Sequence, residues 1–159
     1  MQFPCRGNPR RRQLRILRGS AYVWPRRERG GGVGVHGIAV VVEDDGDNRA
    51  LLRAVLQRSG FAVHTASSGA EGVEAARLHD PTVVLLDRWL PEFDGIEAAR
   101  QIRRFSDAFI VFVSGSMDEE AVLRAYEAGA DVCLTKPFRP RELSARIAAI
   151  LRRPRTLIR

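Results

Sequence analysis

The sequence predicts a doubly wound α/β domain, in which helices cover both faces of one parallel sheet. From Ile38 onward, short apolar runs rich in β-branched residues alternate strictly with stretches of helical period. The runs are apolar at almost every position, as in Val83–Leu86, which is typical of parallel strands buried on both faces. We therefore expect one domain over residues 38–152, a normal size for a single core.

Five strands and five helices are expected in alternation, joined by right-handed crossovers. The predicted strands span residues 38–42, 61–65, 82–86, 109–113 and 132–135. The predicted helices span residues 47–58, 68–79, 94–104, 118–128 and 140–152.

Residues at the predicted helix boundaries support this division. Candidate N-caps, whose side-chain oxygens accept hydrogen bonds from free backbone N–H groups, are Asp47, Ser68, Asp94 and Asp118. Gly60 and Gly129 follow the first and fourth helices, where a left-handed glycine commonly ends a helix. Pro140 suits the first position of the last helix, because no N–H is needed there.

The positive charge of the chain lies at its ends. The net charge is +7, yet residues 38–151 carry eighteen acids and only thirteen bases. Residues 1–37 carry nine arginines and one acid, and they show no sustained period, so we expect a disordered basic N-terminal extension. Residues 153–159 are expected to form a basic C-terminal tail. The extension could also be an organellar transit peptide or result from an upstream start codon.

Composition excludes several classes of protein. No run approaches the roughly 18–20 apolar residues that a membrane span requires, so no membrane association is expected. Cys5 and Cys133 lie far apart in the sequence, and no histidine lies near either of them, which argues against a disulfide scaffold or a zinc site. We expect a cytoplasmic protein.

Polar residues end four of the predicted strands. In order along the chain they are Glu43, Asp44, Asp45, Asp87, Ser114 and Lys136. Ligands of doubly wound sheets bind at this carboxyl edge. Converging carboxylates repel one another unless a cation lies among them, and Mg²⁺ prefers such oxygen ligands. An aspartate beside a metal, a hydroxyl and an ammonium is equipped for phosphoryl transfer. Lys136 is also the only lysine among 26 bases.

Four segments of the domain match a known pattern in order and spacing. They are VVEDD (41–45), LLDRWLPEFDG (85–95), VSG (113–115), and AGAD (128–131) followed by LTKPF (134–138). On these residues the domain resembles the receiver domain of two-component response regulators, and the last helix resembles that of winged-helix regulators. The resemblance implies a flavodoxin-like, five-stranded parallel sheet of strand order 2-1-3-4-5. It covers no part of residues 1–37.

Carried over by position, the resemblance implies a role for each acidic residue at the site. Asp87 would be the phosphoacceptor, which takes a phosphoryl group from a histidine-kinase phosphohistidine. Asp44 and Asp87 would ligate Mg²⁺ together with the backbone carbonyl of Trp89, and Glu43 would act through water. Asp45 falls on a variable position and is expected to be a solvated loop acid.

The resemblance also implies roles on the last two strands. Ser114 would bind the phosphoryl group and shift on activation. Gly115 would leave room for the donor. Lys136 would reach the phosphoryl oxygens, and its bond to Pro137 would be cis.

One departure affects the expected switch. A tyrosine or phenylalanine usually lies three residues before the lysine, and here that position is Cys133, which we interpret as a small buried apolar residue. A charged network that pairs such domains is half retained, through Glu142 and Arg146. A weak homodimer through helix 4, strand 5 and helix 5 is therefore possible.

The sequence favours a phosphorylation-activated switch of a two-component phosphorelay that signals by protein–protein contact. Its expected partners are a sensor histidine kinase or phosphotransfer protein and an unknown output protein. It would be no enzyme beyond self-catalysed phosphorylation and dephosphorylation. The alternatives are a truncated transcriptional regulator, or a nucleic-acid binder that uses its arginine-rich ends non-specifically.

Overall fold

The computed structural model describes residues 36–152, and the predicted tail at 153–159 and nearly all of the predicted extension lie outside the described residues. The strands are β1 (Ile38–Val42), β2 (Ala62–Ala66), β3 (Val83–Leu86), β4 (Phe109–Ser114) and β5 (Val132–Thr135). The helices are α1 (Gly46–Arg58), α2 (Gly69–His79), α3 (Gly95–Arg103), α4 (Glu119–Glu127) and α5 (Pro140–Leu151). None of these helices is long and apolar enough to cross a membrane.

All strand pairs are parallel, and the strand order is β2-β1-β3-β4-β5. This confirms the doubly wound sheet and the order 2-1-3-4-5 that the resemblance implied. The register pairs Val42 with Leu86 and Ser114 with Thr135. The residues that follow these strands are consequently neighbours at one edge of the sheet.

The sheet is buried on both faces by two separate clusters of apolar side chains. Val40 and Val42 point to the face covered by α2, α3 and α4, whereas Ala39 and Val41 point to the face covered by α1 and α5. All four side chains are fully buried. The side-chain alternation of a strand therefore supplies both clusters, and this explains why the central strands are apolar at every position.

The start of α1 differs from the sequence prediction. The N-cap is Asp45, whose carboxylate accepts a hydrogen bond from the Asn48 N–H at 2.8 Å. The prediction that Asp47 caps this helix is wrong. Asp45 is exposed in the loop, as expected, and it also serves as the cap. Asp47 instead lies in the first turn of α1, where its negative charge interacts favourably with the helix dipole. The predicted caps of the next three helices are confirmed: Ser68, Asp94 and Asp118.

The predicted helix ends are also confirmed. Gly60 and Gly129 have left-handed backbone angles, with φ of 91° and 106°. After α1, the Phe61 N–H donates to the Leu56 carbonyl at 3.1 Å, which completes a Schellman motif. Because the amide of Phe61 closes the helix, β2 begins one residue later than predicted, at Ala62. Pro140 is the first residue of α5, as expected.

Two histidines stack at the edge of the sheet. The rings of His64 on β2 and His79 at the end of α2 are 3.5 Å apart between centroids and tilted by only 6°. Burial, and then the proximity of His79, lower the pKa of His64.

We expect this histidine pair to make stability depend on pH. Unfolded His64 takes up its proton near pH 6.5 and folded His64 only at lower pH, so stability is full above pH 6.5 and is lost as the pH falls through the folded pKa. Between about pH 7.5 and pH 5.5, the urea midpoint of wild type should fall further than that of His64→Gln. Identical falls in the two proteins would contradict this role of the pair.

Candidate functional site

Three carboxylates meet where β1 and β3 end. One ligand oxygen from each of Glu43, Asp44 and Asp87 lies within 4.8 Å of the others. Glu43 and Asp87 are buried, with exposures of 1% and 7%, whereas Asp44 is exposed. The sheet produces this cluster directly, because the Asp87 N–H donates to the Val42 carbonyl at 3.0 Å. The predicted convergence of these three acids is therefore present.

Lys136 joins the two buried carboxylates. Its Nζ donates to Glu43 Oε2 at 2.7 Å and to Asp87 Oδ2 at 2.8 Å. Its backbone N–H donates to the Ser114 carbonyl at 2.8 Å, which anchors the segment after β5 to the end of β4. The bond from Lys136 to Pro137 is cis, as the resemblance implied.

The pKa values of this group reflect burial and charge together. Burial raises the pKa of Glu43, the hydrogen bond from Lys136 opposes the rise, and the charge of Asp87 adds to it. For Lys136, burial opposes the ammonium, but the hydrogen bonds to Asp87 and Glu43 outweigh burial and raise the pKa above its usual value. The lysine therefore remains cationic, and the carboxylates together exceed its single charge.

Each oxygen of Asp87 has a hydrogen-bond donor. Oδ2 accepts from Lys136, and Oδ1 accepts from the Trp89 N–H at 3.0 Å. A loop folds tightly over this residue, because the Gly95 N–H donates to the Arg88 carbonyl at 2.8 Å. A Cβ at Gly95 would collide with the backbone carbonyl of Asp87. Only glycine fits at this position without moving the phosphoacceptor candidate.

Ser114 brings a hydroxyl to the same edge of the sheet. The residue is fully buried, and within the described part of the chain its Oγ has no hydrogen-bond partner. A buried polar group without a partner costs about 1–3 kcal/mol, so a ligand oxygen near Ser114 would be stabilised. Beside it, a Cβ built on Gly115 meets no atom within 4 Å. The resemblance implied room at this position.

Two contributors to the site were missed by sequence reasoning. Arg49, in the first turn of α1, donates to the carbonyls of Glu43 and Asp44 at 2.8 and 3.1 Å, and so fixes the loop that carries both acids. Asp45 links the same loop to the helix as its cap, and its N–H donates to Glu43 Oε1 at 3.2 Å. The sequence spacing could have indicated these contacts, because Arg49 lies one helical turn after Asp45 and so on the same side of α1.

The surroundings of Cys133 also hold a residue that was not anticipated. Cys133 is half-buried rather than fully buried, and burial raises the pKa of its thiol, which disfavours a reactive thiolate. The hydroxyl of Tyr126, on α4, lies beside this thiol. Glu142 and Arg146 bind each other within α5, at 3.2 Å. The predicted homodimer through these elements stays a prediction.

The fold and the pocket together define a class of protein. Hard oxygen donors, one fixed ammonium and a buried hydroxyl at the carboxyl edge of a doubly wound sheet are the features of a phosphorylation-based switch. The family model described as the response regulator receiver domain matches residues 39–148. The chain belongs to this family, whose members are signalling switches that bind Mg²⁺ at an acidic pocket and interact with histidine kinases or phosphotransfer proteins.

Several known proteins are similar to this chain. The alkaline phosphatase synthesis transcriptional regulatory protein PhoP of Bacillus subtilis is 43% identical over 115 residues, which are 72% of this chain and 48% of PhoP. The transcriptional regulatory protein SrrA of Staphylococcus aureus is 38% identical over 72% of this chain and 47% of SrrA. The chain thus spans about half the length of these relatives. The BeF3-activated DrrB receiver domain is 32% identical, with a TM-score of 0.68, over 74% of this chain and 98% of that one.

We expect Mg²⁺ to bind weakly at Asp44 and Asp87 and to change tryptophan emission. Trp89 is 59% exposed, and its backbone N–H donates to Asp87 Oδ1 at 3.0 Å. A cation at the carboxylates would therefore alter the surroundings of its indole. A Trp24→Phe variant isolates this signal, and Asp44→Asn in that background should remove most of the Mg²⁺ response. An emission unchanged by Mg²⁺ in the Trp24→Phe variant would contradict the assembled pocket.

Proposed function

We propose that this chain accepts a phosphoryl group on Asp87, from a sensor histidine kinase or a phosphotransfer protein, and signals by protein–protein contact. The observation that carries the proposal is the contact of Lys136 with both Glu43 and Asp87, at the same sheet edge as the Ser114 hydroxyl, which has no hydrogen-bond partner among residues 36–152. This arrangement offers a nucleophile, and it offers donors for the charge that arrives with the phosphoryl group.

The transfer step uses the carboxylate of Asp87 as the nucleophile. Hydrogen bonds from Trp89 and Lys136 fix the orientation of its two oxygens. One oxygen attacks the phosphorus of a phosphohistidine, the P–N bond breaks, and its electron pair returns to the departing imidazole. The product is an acyl phosphate on this chain.

The donor set fits a divalent cation. Asp44 and Asp87, the Trp89 carbonyl, and Glu43 through water would hold Mg²⁺, a hard cation that prefers oxygen ligands. When bound, Mg²⁺ neutralises charge on the phosphoryl oxygens.

The acyl phosphate carries a charge of about −1.5 to −2, in place of the single charge of the free carboxylate, at the end of β3. Lys136 would then exchange its hydrogen bond with Asp87 for one with a phosphoryl oxygen, and the Ser114 hydroxyl would donate to another. Ser114 ends β4, and the segment 115–118 leads from it into α4. A shift of the hydroxyl is therefore passed to α4.

In this proposal the receiver spans residues 38–152 and acts in the cytoplasm, with the arginine-rich segments 1–37 and 153–159 outside it. The likeness to PhoP and SrrA, both named as transcriptional regulatory proteins, favours a transcriptional pathway as the output. The output partner is reached through the α4 side of the domain, and a weak homodimer through α4, β5 and α5 is one form of that contact.

Phosphorylation at Asp87 can be tested by intact mass. Wild type incubated with acetyl phosphate and Mg²⁺ should gain one phosphoryl group, because the pocket itself supplies the nucleophile and the charged donors. Asp87→Asn should gain none, since an amide oxygen is a poor nucleophile. Asp80→Asn, which changes an exposed acid at the end of α2 whose left-handed backbone asparagine also adopts, serves as the control and should behave as wild type. A phosphoryl group on Asp87→Asn would place the acceptor elsewhere.

Phosphorylation is expected to change the structure of β5 only slightly, because the Cys133 side chain is too small to fill the space that Ser114 would vacate. Beryllofluoride, which is named as activating the DrrB receiver domain, should, when added together with Mg²⁺, move amide resonances at 114–117 while Val132–Thr135 change little. Cys133→Tyr should enlarge the changes at Val132–Thr135, and Cys133→Ser, which adds no ring, should not. Equal changes in wild type and Cys133→Tyr would show that another residue, such as Tyr126, transmits the signal.

A further inference from the structure

Two of the three histidines of the chain lie against each other, outside the phosphoryl pocket. The rings of His64 and His79 are parallel to within 6°, and their centroids are 3.5 Å apart. His64 pairs with Val40 in the middle of β1, and His79 is the last residue of α2. The pair therefore joins the edge strand β2 to the end of α2 that points away from the pocket.

Both imidazoles are suited to bind a metal ion. Both side chains are half-buried, so ions can reach them from solvent. Burial and the proximity of His79 lower the pKa of His64, so this ring is neutral at about pH 7 and offers an unprotonated nitrogen. Neutral imidazole is a common protein ligand of zinc, copper and nickel.

The separation of the two rings matches a tetrahedral metal centre. Zinc binds an imidazole nitrogen at about 2.0–2.1 Å, and two such bonds at the tetrahedral angle hold their nitrogens about 3.3 Å apart. The stacked rings are 3.5 Å apart. Parallel rings direct their lone pairs in parallel, so each ring would turn about its own side-chain bonds to meet the ion. β2 and α2, which pack together, need not move.

We propose that His64 and His79 together bind a divalent transition-metal ion, represented by Zn²⁺, and that water completes its coordination. Among residues 36–152, no group of three or more potential metal ligands includes either histidine. The site is therefore a chelate of two histidines, with modest affinity. Its occupation requires no phosphoryl transfer and goes beyond the proposed function.

A bound ion would link the edge strand to a helix. His64 is carried by β2 and His79 by α2, and an unfolded chain does not hold the two rings together. Zinc should therefore bind the folded domain in preference to the unfolded chain and stabilise it.

The acidic pocket is a different kind of site. Its carboxylates suit the hard ion Mg²⁺, whereas imidazole suits zinc. Excess Mg²⁺ should therefore compete with zinc at the pocket without competing at the histidines. Burial raises the pKa of the Cys133 thiol, which disfavours the thiolate that zinc would bind.

The test follows the histidine ring resonances of the full chain by NMR during titration with Zn²⁺. Excess Mg²⁺ is present, and the pH is about 7.5, where imidazole is neutral. With only three histidines in the chain, each ring is assigned by substitution. The signals of His64 and His79 should shift together as zinc is added, while those of His36 stay unchanged.

Substitutions then measure what each ring contributes. His64→Gln and His79→Gln should each weaken zinc affinity at least about tenfold, because one ring alone cannot chelate. The double variant should bind little more weakly than either single variant, since the two ligands act as a unit. The matched control is His36→Gln, which changes the third histidine, beside Gly60, and should alter zinc affinity less than about twofold.

Stability supplies a second measurement. Zinc should raise the urea midpoint of wild type and of His36→Gln, and it should leave that of the double variant unchanged. Asp87→Asn should bind zinc at the histidines as wild type does, so a failure of the proposed function would not affect this result. Circular dichroism of each variant checks that the fold is retained.

Three results would overturn the proposal. One is the absence of any shift at His64 and His79 when zinc is added to wild type. Another is equal weakening of zinc affinity by His64→Gln and His36→Gln. The third is full zinc affinity in the double variant, which would place the ion at another group, such as Cys133 or the acidic pocket.

Discussion

The ammonium of Lys136 between the carboxylates of Glu43 and Asp87 is the interaction on which the site depends. Two buried acids at the ends of adjacent strands repel each other, and water is largely excluded from both. The lysine offsets this repulsion, yet one positive charge does not balance two buried carboxylates and the nearby Asp44. Further positive charge would therefore be favourable in this pocket, as it is in the acidic pocket at which receiver domains bind Mg²⁺.

This contact depends on the parallel sheet and on its strand order, β2-β1-β3-β4-β5. β1 lies next to β3, so Glu43 and Asp87 are neighbours, and β4 separates them from β5. Lysine bridges that gap because its ammonium is carried on a long flexible stem. The hydrogen bond from the Lys136 backbone N–H to the Ser114 carbonyl fixes the position of the lysine backbone, from which the side chain extends. Any change that slid β5 along β4 would thus break the charge pairing two strands away.

Local patterns predicted the strands, the helices and the edge of the sheet that carries the site, whereas the strand order and the roles of the site residues came from the resemblance to receiver domains. Apolar runs gave the strands, and polar residues after four of them gave the pocket. The N-cap of α1 could not be decided in this way, because Asp45 and Asp47 are both good capping residues and only the backbone path selects Asp45. The contact of Tyr126 with Cys133 and the stack of His64 on His79 depend on how helices pack against their neighbours. No spacing in the sequence reports that packing.

The two apolar clusters on opposite faces of the sheet have a consequence for how such a domain changes. Their side chains come from alternate positions of the same strands and do not mix. In the proposed switch, a displacement of Ser114 would act first on the layer with α4, because Phe112, two residues earlier on β4, packs in that layer. A partner that recognises the α1 and α5 layer would meet the same surface before and after signalling, and only a partner on the opposite layer would sense the difference.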